Sequence, residues 1–171
     1  MIKVVLTGSE STGKTELAHR LGDQFAAPVA EEFVRDYAAE RGGKLGFDDH
    51  GPIAHGQMAS ENAAIAAAKG LVLLDTDLVS TVVYCEHYFG RCPAWIEKNA
   101  RARAGDLYLL LKPDIPWIAD GVRDRGHRRD EMHDLFKAKL VEMRLRYVDI
   151  SGDRDERFSL AVRAIESVVP R

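Results

Sequence analysis

Eight consecutive residues, Gly8-Ser9-Glu10-Ser11-Thr12-Gly13-Lys14-Thr15, follow an apolar run and precede a stretch whose apolar residues recur at helical spacing. A GxxxxGK[ST] run in that setting is a phosphate cradle. The glycines let the backbone curl so that successive N–H groups face an anion, and the positive end of the following helix points at the same place. Lys14 would neutralise the β and γ phosphates of a nucleotide, and the Thr15 hydroxyl would ligate Mg²⁺. Glu16 follows in the first helical turn and is grouped with the loop.

Two other apolar runs end in acids. Leu71-Val72-Leu73-Leu74 leads into Asp75-Thr76-Asp77, and Pro28-Val29-Ala30 leads into Glu31-Glu32 with Arg35 and Asp36 behind. In open parallel sheets the ligand sits beyond the carboxyl ends of the strands, so these acids are placed to do chemistry. Asp75 is the candidate to hold Mg²⁺ with Thr15. A carboxylate of the Glu31-Glu32 pair, or Asp77, could accept the proton of a hydroxyl attacking a γ-phosphate. Glu31 and Glu32 face opposite ways in extended backbone, so one of them does so, with Glu32 the choice over Asp77. The plainer reading of Asp77 is a helix N-cap, and that of Glu31 and Glu32 is charge complementing a helix N-terminus.

Arg123, Arg125, Arg128 and Arg129 fall within seven residues, beside Asp120, Gly121, Asp124 and Gly126. Such a cluster is either solvated surface or the arginines of a lid, at about residues 113–130, that close over a transferring phosphoryl group. Guanidinium suits the second task because it is always charged and grips phosphate oxygens in pairs, with Arg123 and Arg128 the catalytic candidates.

These residues need a scaffold that brings strand ends together. Strands are expected at 2–6, 28–31, 71–74, 107–111 and 147–150, and helices at 15–25, 33–41, 52–69, 81–99, 129–144 and 154–168. Strands that are almost continuously apolar, alternating with helices, make an α/β protein with a parallel sheet covered on both faces. Gly70 and Gly105 stand where a helix C-terminus calls for positive φ. No repeat or linker divides residues 1–171, which are read as one domain. A net charge of −3 provides no field for polyanions, so nucleic acid is not an expected partner. No run of eighteen apolar residues exists, which argues against a membrane span and leaves the cytoplasm as the expected compartment. Cys85 and Cys92 have no partners at zinc-like spacing and are read as packing residues. His50 and His55, near Asp48 and Asp49, are read as capping and solvent contact, and Gln57 with Glu61 as a surface pair four residues apart.

Four separated pieces resemble the NadR-type ribosylnicotinamide kinase domain within the P-loop kinases: GSESTGKT at 8–15, EEFVRDYA at 31–38, LLDTD at 73–77 with Tyr84 and Tyr88 after it, and DLYLLLKPDIPWIADGVRDRG at 106–126. The resemblance covers nearly the whole chain. It implies a P-loop three-layer sandwich with five parallel strands in the order 2-3-1-4-5, ATP and Mg²⁺ as cofactors, and nicotinamide riboside as the acceptor. It further implies that Trp117 or a neighbouring tyrosine stacks on the nicotinamide ring and that Ser151-Gly152 lie near adenine. Glu31, Glu32, Arg35, Asp77, Tyr84, Tyr88 and Asp120 are the candidates to line the acceptor side with Trp117. Bifunctional members carry an adenylyltransferase domain before the kinase, and with no such motif here adenylyl transfer is not expected. The competing readings are a nucleotide-dependent switch or regulatory ATPase, and a kinase for another nucleoside or nucleotide. Lack of an NKxD-like base-reading motif counts against a guanine switch. Oligomeric state is not legible.

Overall fold

The computed structural model describes residues 1–115 and 128–170. Trp117, Asp120, Arg123 and most of the proposed lid lie outside the described residues. The chain forms β1 (Ile2–Thr7), α1 (Lys14–Phe25), β2 (Val29–Ala30), α2 (Phe33–Glu40), a one-turn 3-10 helix (Phe47–Asp49) and α3 (His50–Ala67). It continues through β3 (Leu71–Asp75), α4 (Leu78–Phe89), α5 (Ala94–Arg103), β4 (Leu107–Leu111), α6 (Arg129–Glu142), β5 (Tyr147–Ile150) and α7 (Arg154–Glu166).

The five strands are all parallel and ordered β2-β3-β1-β4-β5, the expected order. The alternation of side chains along a strand divides the apolar residues between two cores. Val5, Val72, Leu74, Tyr108 and Leu110 pack with α3, α4, α5 and α6 on one face. Val4, Leu6, Leu73, Leu107, Leu109 and Ile150 pack with α1 and α7 on the other. The register pairs Leu6 with Asp75, so the strand ends that carry the acids come level with the start of the phosphate loop. Among the described residues no helix is long and apolar enough to cross a membrane.

Three expectations need correction. The single helix at 81–99 is two, because Gly90 takes φ 67° to close α4 and Pro93 N-caps α5; a proline there cannot continue a helix as a hydrogen-bonded interior residue. Gly105 does not have positive φ, whereas Gly70 does, at 137°. Gly105 is required for room instead: a Cβ would lie 2.5 Å from Val5 Cγ2. Gln57 and Glu61 are not on the surface, being only 2% exposed each. Cys85 and Cys92 are free thiols, Cys85 fully buried and Cys92 packed against the core on the α3–α6 face, and burial, with Cys85 beside it, pushes the Cys92 thiol up to about 12.

Candidate active site

The phosphate loop is shaped by crowding at its first residue. Gly8 sits at φ 131° and a Cβ there would lie 2.7 Å from the Leu111 carbonyl oxygen, so only glycine lets β1 turn away beside β4. Ser11 and Gly13 take left-handed φ values of 51° and 82°, which folds the loop back over itself. The Lys14 ammonium, buried along its stem, donates to the carbonyls of Gly8 (3.1 Å) and Ser9 (2.7 Å), and the Thr12 hydroxyl donates to the Ser9 carbonyl at 2.9 Å. Glu10 is buried within the loop, and Glu16 pairs with Arg154 on the outside.

At the carboxyl ends of β1 and β3 the Thr15 hydroxyl donates to Asp75 Oδ2 at 2.5 Å. Asp75 Oδ1, the hydroxyls of Thr7 and Thr76, and Ser9 Oγ are buried without a hydrogen-bond partner among the described residues. Orphaned buried oxygens need an explanation, and a cation with its hydration shell supplies one. Mg²⁺ keeps several waters and takes only one or two protein oxygens beside substrate phosphates, so Thr15 and Asp75 suffice for it. No cluster of three or more His, Cys, Asp or Glu that could hold a metal occurs among the described residues.

Glu32 comes to the same place. Arg35 donates to both Thr15 Oγ1 (3.2 Å) and Glu32 Oε2 (3.3 Å), and the Glu32 side chain is only 10% exposed. Glu31 points away, pairing with His19 at 3.2 Å on the surface. Burial, then the negative charge of Glu32, hold the Asp75 carboxyl above its ordinary range, against the opposing pull of Thr15 and Lys14. A raised carboxyl pKa means that folding disfavours the ionised form. Stability is therefore lost as pH climbs from the ordinary carboxylate range towards the raised pKa. We accordingly expect ligand-free Asp75→Asn to melt above the unsubstituted protein at pH 8, by a few degrees at roughly 2–4 °C per kcal/mol for a chain of this size. The gap should close towards pH 4, and thermal unfolding at the two pH values checks it. The same variant should need more Mg²⁺ for any nucleotide-dependent turnover.

Asp77 is fully engaged by the fold. Its Oδ1 accepts from Val79 N–H (3.0 Å) as the N-cap of α4, and its Oδ2 accepts from the Tyr108 hydroxyl at 2.5 Å. Burial outweighs these donors and lifts its carboxyl to about 7. Behind it runs a chain of contacts that pattern reading did not single out. Gln57 accepts from Phe33 N–H (3.1 Å), the residue after Glu32, and donates to the Thr76 carbonyl (3.3 Å), between Asp75 and Asp77. One amide thus fixes the spacing of the two acidic strand ends. Glu61, one turn along α3, is held by Arg103 through bonds of 3.0 and 2.9 Å.

The remaining candidates are distributed around this centre. Tyr84 lies edge-on to Phe136 (5.6 Å) and stacks beside Tyr88 (6.2 Å). His55 stacks on Trp95 at 4.7 Å, while His50 is buried, with Nδ1 3.2 Å from the Gly46 carbonyl. Arg128 pairs with Glu131 at 3.4 Å on the exterior. Its neighbour Arg129 faces the phosphate loop instead, donating to the carbonyls of Ser11 (3.1 Å) and Ile115 (2.7 Å). The order within an arginine cluster does not reveal which member turns inward, because that depends on where α6 begins. Ser151 and Gly152 form the turn before α7, and Gly152 N–H donates to Asp114 Oδ2 at 2.8 Å.

A family model described as AAA domain matches residues 3–157. Two curated relatives, both called trifunctional NAD biosynthesis/regulator protein NadR, come from Escherichia coli and Salmonella typhimurium; each is 31% identical over 97% of this chain and 42% of its own length. The chain therefore spans less than half the length of those relatives. A solved NadR protein in complex with NR superposes with a TM-score of 0.83 at 27% identity, over 99% of this chain and 51% of that one. NadR in complex with NAD and AMP-PNP superposes at 0.79 and 26% identity, over 98% and 49%. Thymidylate kinase from Ehrlichia chaffeensis, at 14% identity and a TM-score of 0.70, shares the fold.

Proposed function

From the premise that this chain belongs to the AAA domain family, we propose that it is an ATP-dependent kinase whose acceptor is nicotinamide riboside and whose product is nicotinamide mononucleotide, a step of NAD biosynthesis. The observation that carries the reading is the joining of two functions at one place: Arg35 links Thr15, next to Asp75, with the inward-facing carboxylate of Glu32. Phosphates held by the loop and an acceptor hydroxyl beside Glu32 would meet there. The likeness to NadR structures holding NR and AMP-PNP supports the acceptor and the donor.

In this mechanism the acceptor oxygen attacks the γ-phosphorus and the bond to the β–γ bridging oxygen breaks, releasing ADP. Glu32 takes the hydroxyl proton as the new P–O bond forms. Little covalent chemistry is asked of the protein, so positioning and charge carry the catalysis. The loop amides and Lys14 bind the phosphates, Arg35 orients Glu32, and Arg129 stands at the loop's edge with its guanidinium beside Ser11. Thr15 and Asp75 would hold Mg²⁺, which when bound neutralises charge on the β and γ oxygens.

A coupled ADP-release screen over nicotinamide riboside, other nucleosides and nucleoside monophosphates, with mass spectrometry of the product, tests the proposal. The expected result is ADP formation that requires nicotinamide riboside and yields a singly phosphorylated nucleoside. Equal ADP release without any acceptor would make the chain a regulatory ATPase, and a response to a different nucleoside would reassign the acceptor.

A further inference from the structure

Asp114 lies just past the end of β4, and Arg157, a guanidinium only 5% exposed, lies on α7. Helix α7 opens with a capping box in which Asp153 accepts from the N–H groups of Asp155 and Glu156 and the Glu156 carboxylate accepts from Asp153 N–H. Arg157 lies one turn later, and side chains of a helix lean towards its N-terminus. Its side chain is thereby sent back among the loops at the carboxyl edge of the sheet. Nε donates to the Gly152 carbonyl (2.8 Å), one terminal nitrogen to the Thr12 carbonyl (2.7 Å), and the other to the Lys112 carbonyl (2.8 Å) and to the Asp114 carboxylate. Asp114 closes the circuit by accepting from Gly152 N–H. One cation thus ties together the phosphate loop, the exit of β4 and the turn before α7, elements separated by as many as 145 residues.

A trans peptide is planar, with its C=O and the next N–H on opposite sides. Holding the Thr12 carbonyl against Arg157 therefore turns the Gly13 N–H to the opposite side of the loop, where Gly13 is exposed and, as the N-cap of α1, stands at a helix start whose N–H groups have no intrahelical acceptor. We propose that Arg157, itself held by Asp114, is a positioning residue that aims the Gly13 N–H at the phosphates of the nucleotide and fixes the turn at Gly152 to the same loop. The inference rests on the reading of the chain as a nucleotide-binding protein. Because Asp114 neutralises the guanidinium, the contribution is one of direction rather than of added positive charge. Lysine, a point charge with no planar fork, cannot span three carbonyls and a carboxylate at once.

The test uses the full chain and the variants Asp114→Asn, Arg157→Lys and Arg157→Met, titrated with AMP-PNP and compared by thermal unfolding and by the ¹H–¹⁵N resonance of Gly13. Asp114→Asn and Arg157→Lys are expected to weaken AMP-PNP binding by about tenfold, as one misdirected hydrogen bond to a charged group implies. The change of the Gly13 amide resonance on adding AMP-PNP should shrink with it. Where an Arg157 variant fails to fold, Asp114→Asn decides, since the Asp114 side chain is 38% exposed and its amide keeps the shape. A lower melting temperature with AMP-PNP affinity and the Gly13 response both unchanged would overturn the proposal and leave a purely structural tie. Failure of the unsubstituted protein to bind AMP-PNP would instead overturn the nucleotide-binding reading beneath it.

Discussion

Lys14→Ala is expected to lower phosphoryl transfer about a thousandfold, on the scale of removing one strong donor to developing charge, while leaving the fold standing. Its ammonium bonds to the loop carbonyls of Gly8 and Ser9, and neither residue belongs to the apolar cores that join the helices to the sheet. Two loop hydrogen bonds contribute about 1–3 kcal/mol together, so a modest drop in melting temperature should accompany a nearly complete loss of rate. Lys14→Met would keep the buried stem and lose the charge, and it should be as inactive as alanine with a smaller effect on stability. Steady-state kinetics beside circular-dichroism melting checks both. Retained turnover in either variant would remove phosphoryl transfer from the description of this site.

The sequence allowed the cradle and the metal-type pair to be located because both are local. A glycine pattern between a strand and a helix, and an acid closing an apolar strand, carry their meaning within a few residues. Asp75 and Thr15 are 60 positions apart, yet each is marked by its own strand or loop, and the parallel sheet brings the two ends level. The contacts that escaped notice are those whose meaning depends on which helix face is buried. Gln57 and Glu61 share a face of α3, but nothing in an i, i+4 pair says whether that face meets water or the ends of β2 and β3. Arg157 closes a run of charged residues, Asp153-Arg154-Asp155-Glu156, and only the folded chain brings it to Thr12. The break between α4 and α5 is a local signal: Gly90 followed by Pro93 stops one helix and starts the next.

The choice of catalytic base gives the second large effect, and Glu32→Gln is the substitution that reads it. The amide would keep the length of the side chain and an oxygen for Arg35 to bind, so the arrangement around Thr15 should persist while the group that takes the proton is lost. Loss of a positioned general base costs about a hundredfold or more in kcat, and KM for ATP should change little because the nucleotide is held by the loop. Two neighbouring acids serve as controls. Glu31→Gln should be almost silent, since that carboxylate faces His19 at the surface. Asp77→Asn should act mainly on stability, because both of its oxygens are committed, one to the α4 N-cap and one to Tyr108. A larger fall in kcat for Asp77→Asn than for Glu32→Gln would transfer the role of base to Asp77. The Mg²⁺ titration separates the remaining alternative: Glu32→Gln is expected to leave the cation requirement where it was, whereas Asp75→Asn moves it upward. If both variants shift the requirement equally, Glu32 belongs with Asp75 in holding the cation, and the acceptor hydroxyl must lose its proton to another group.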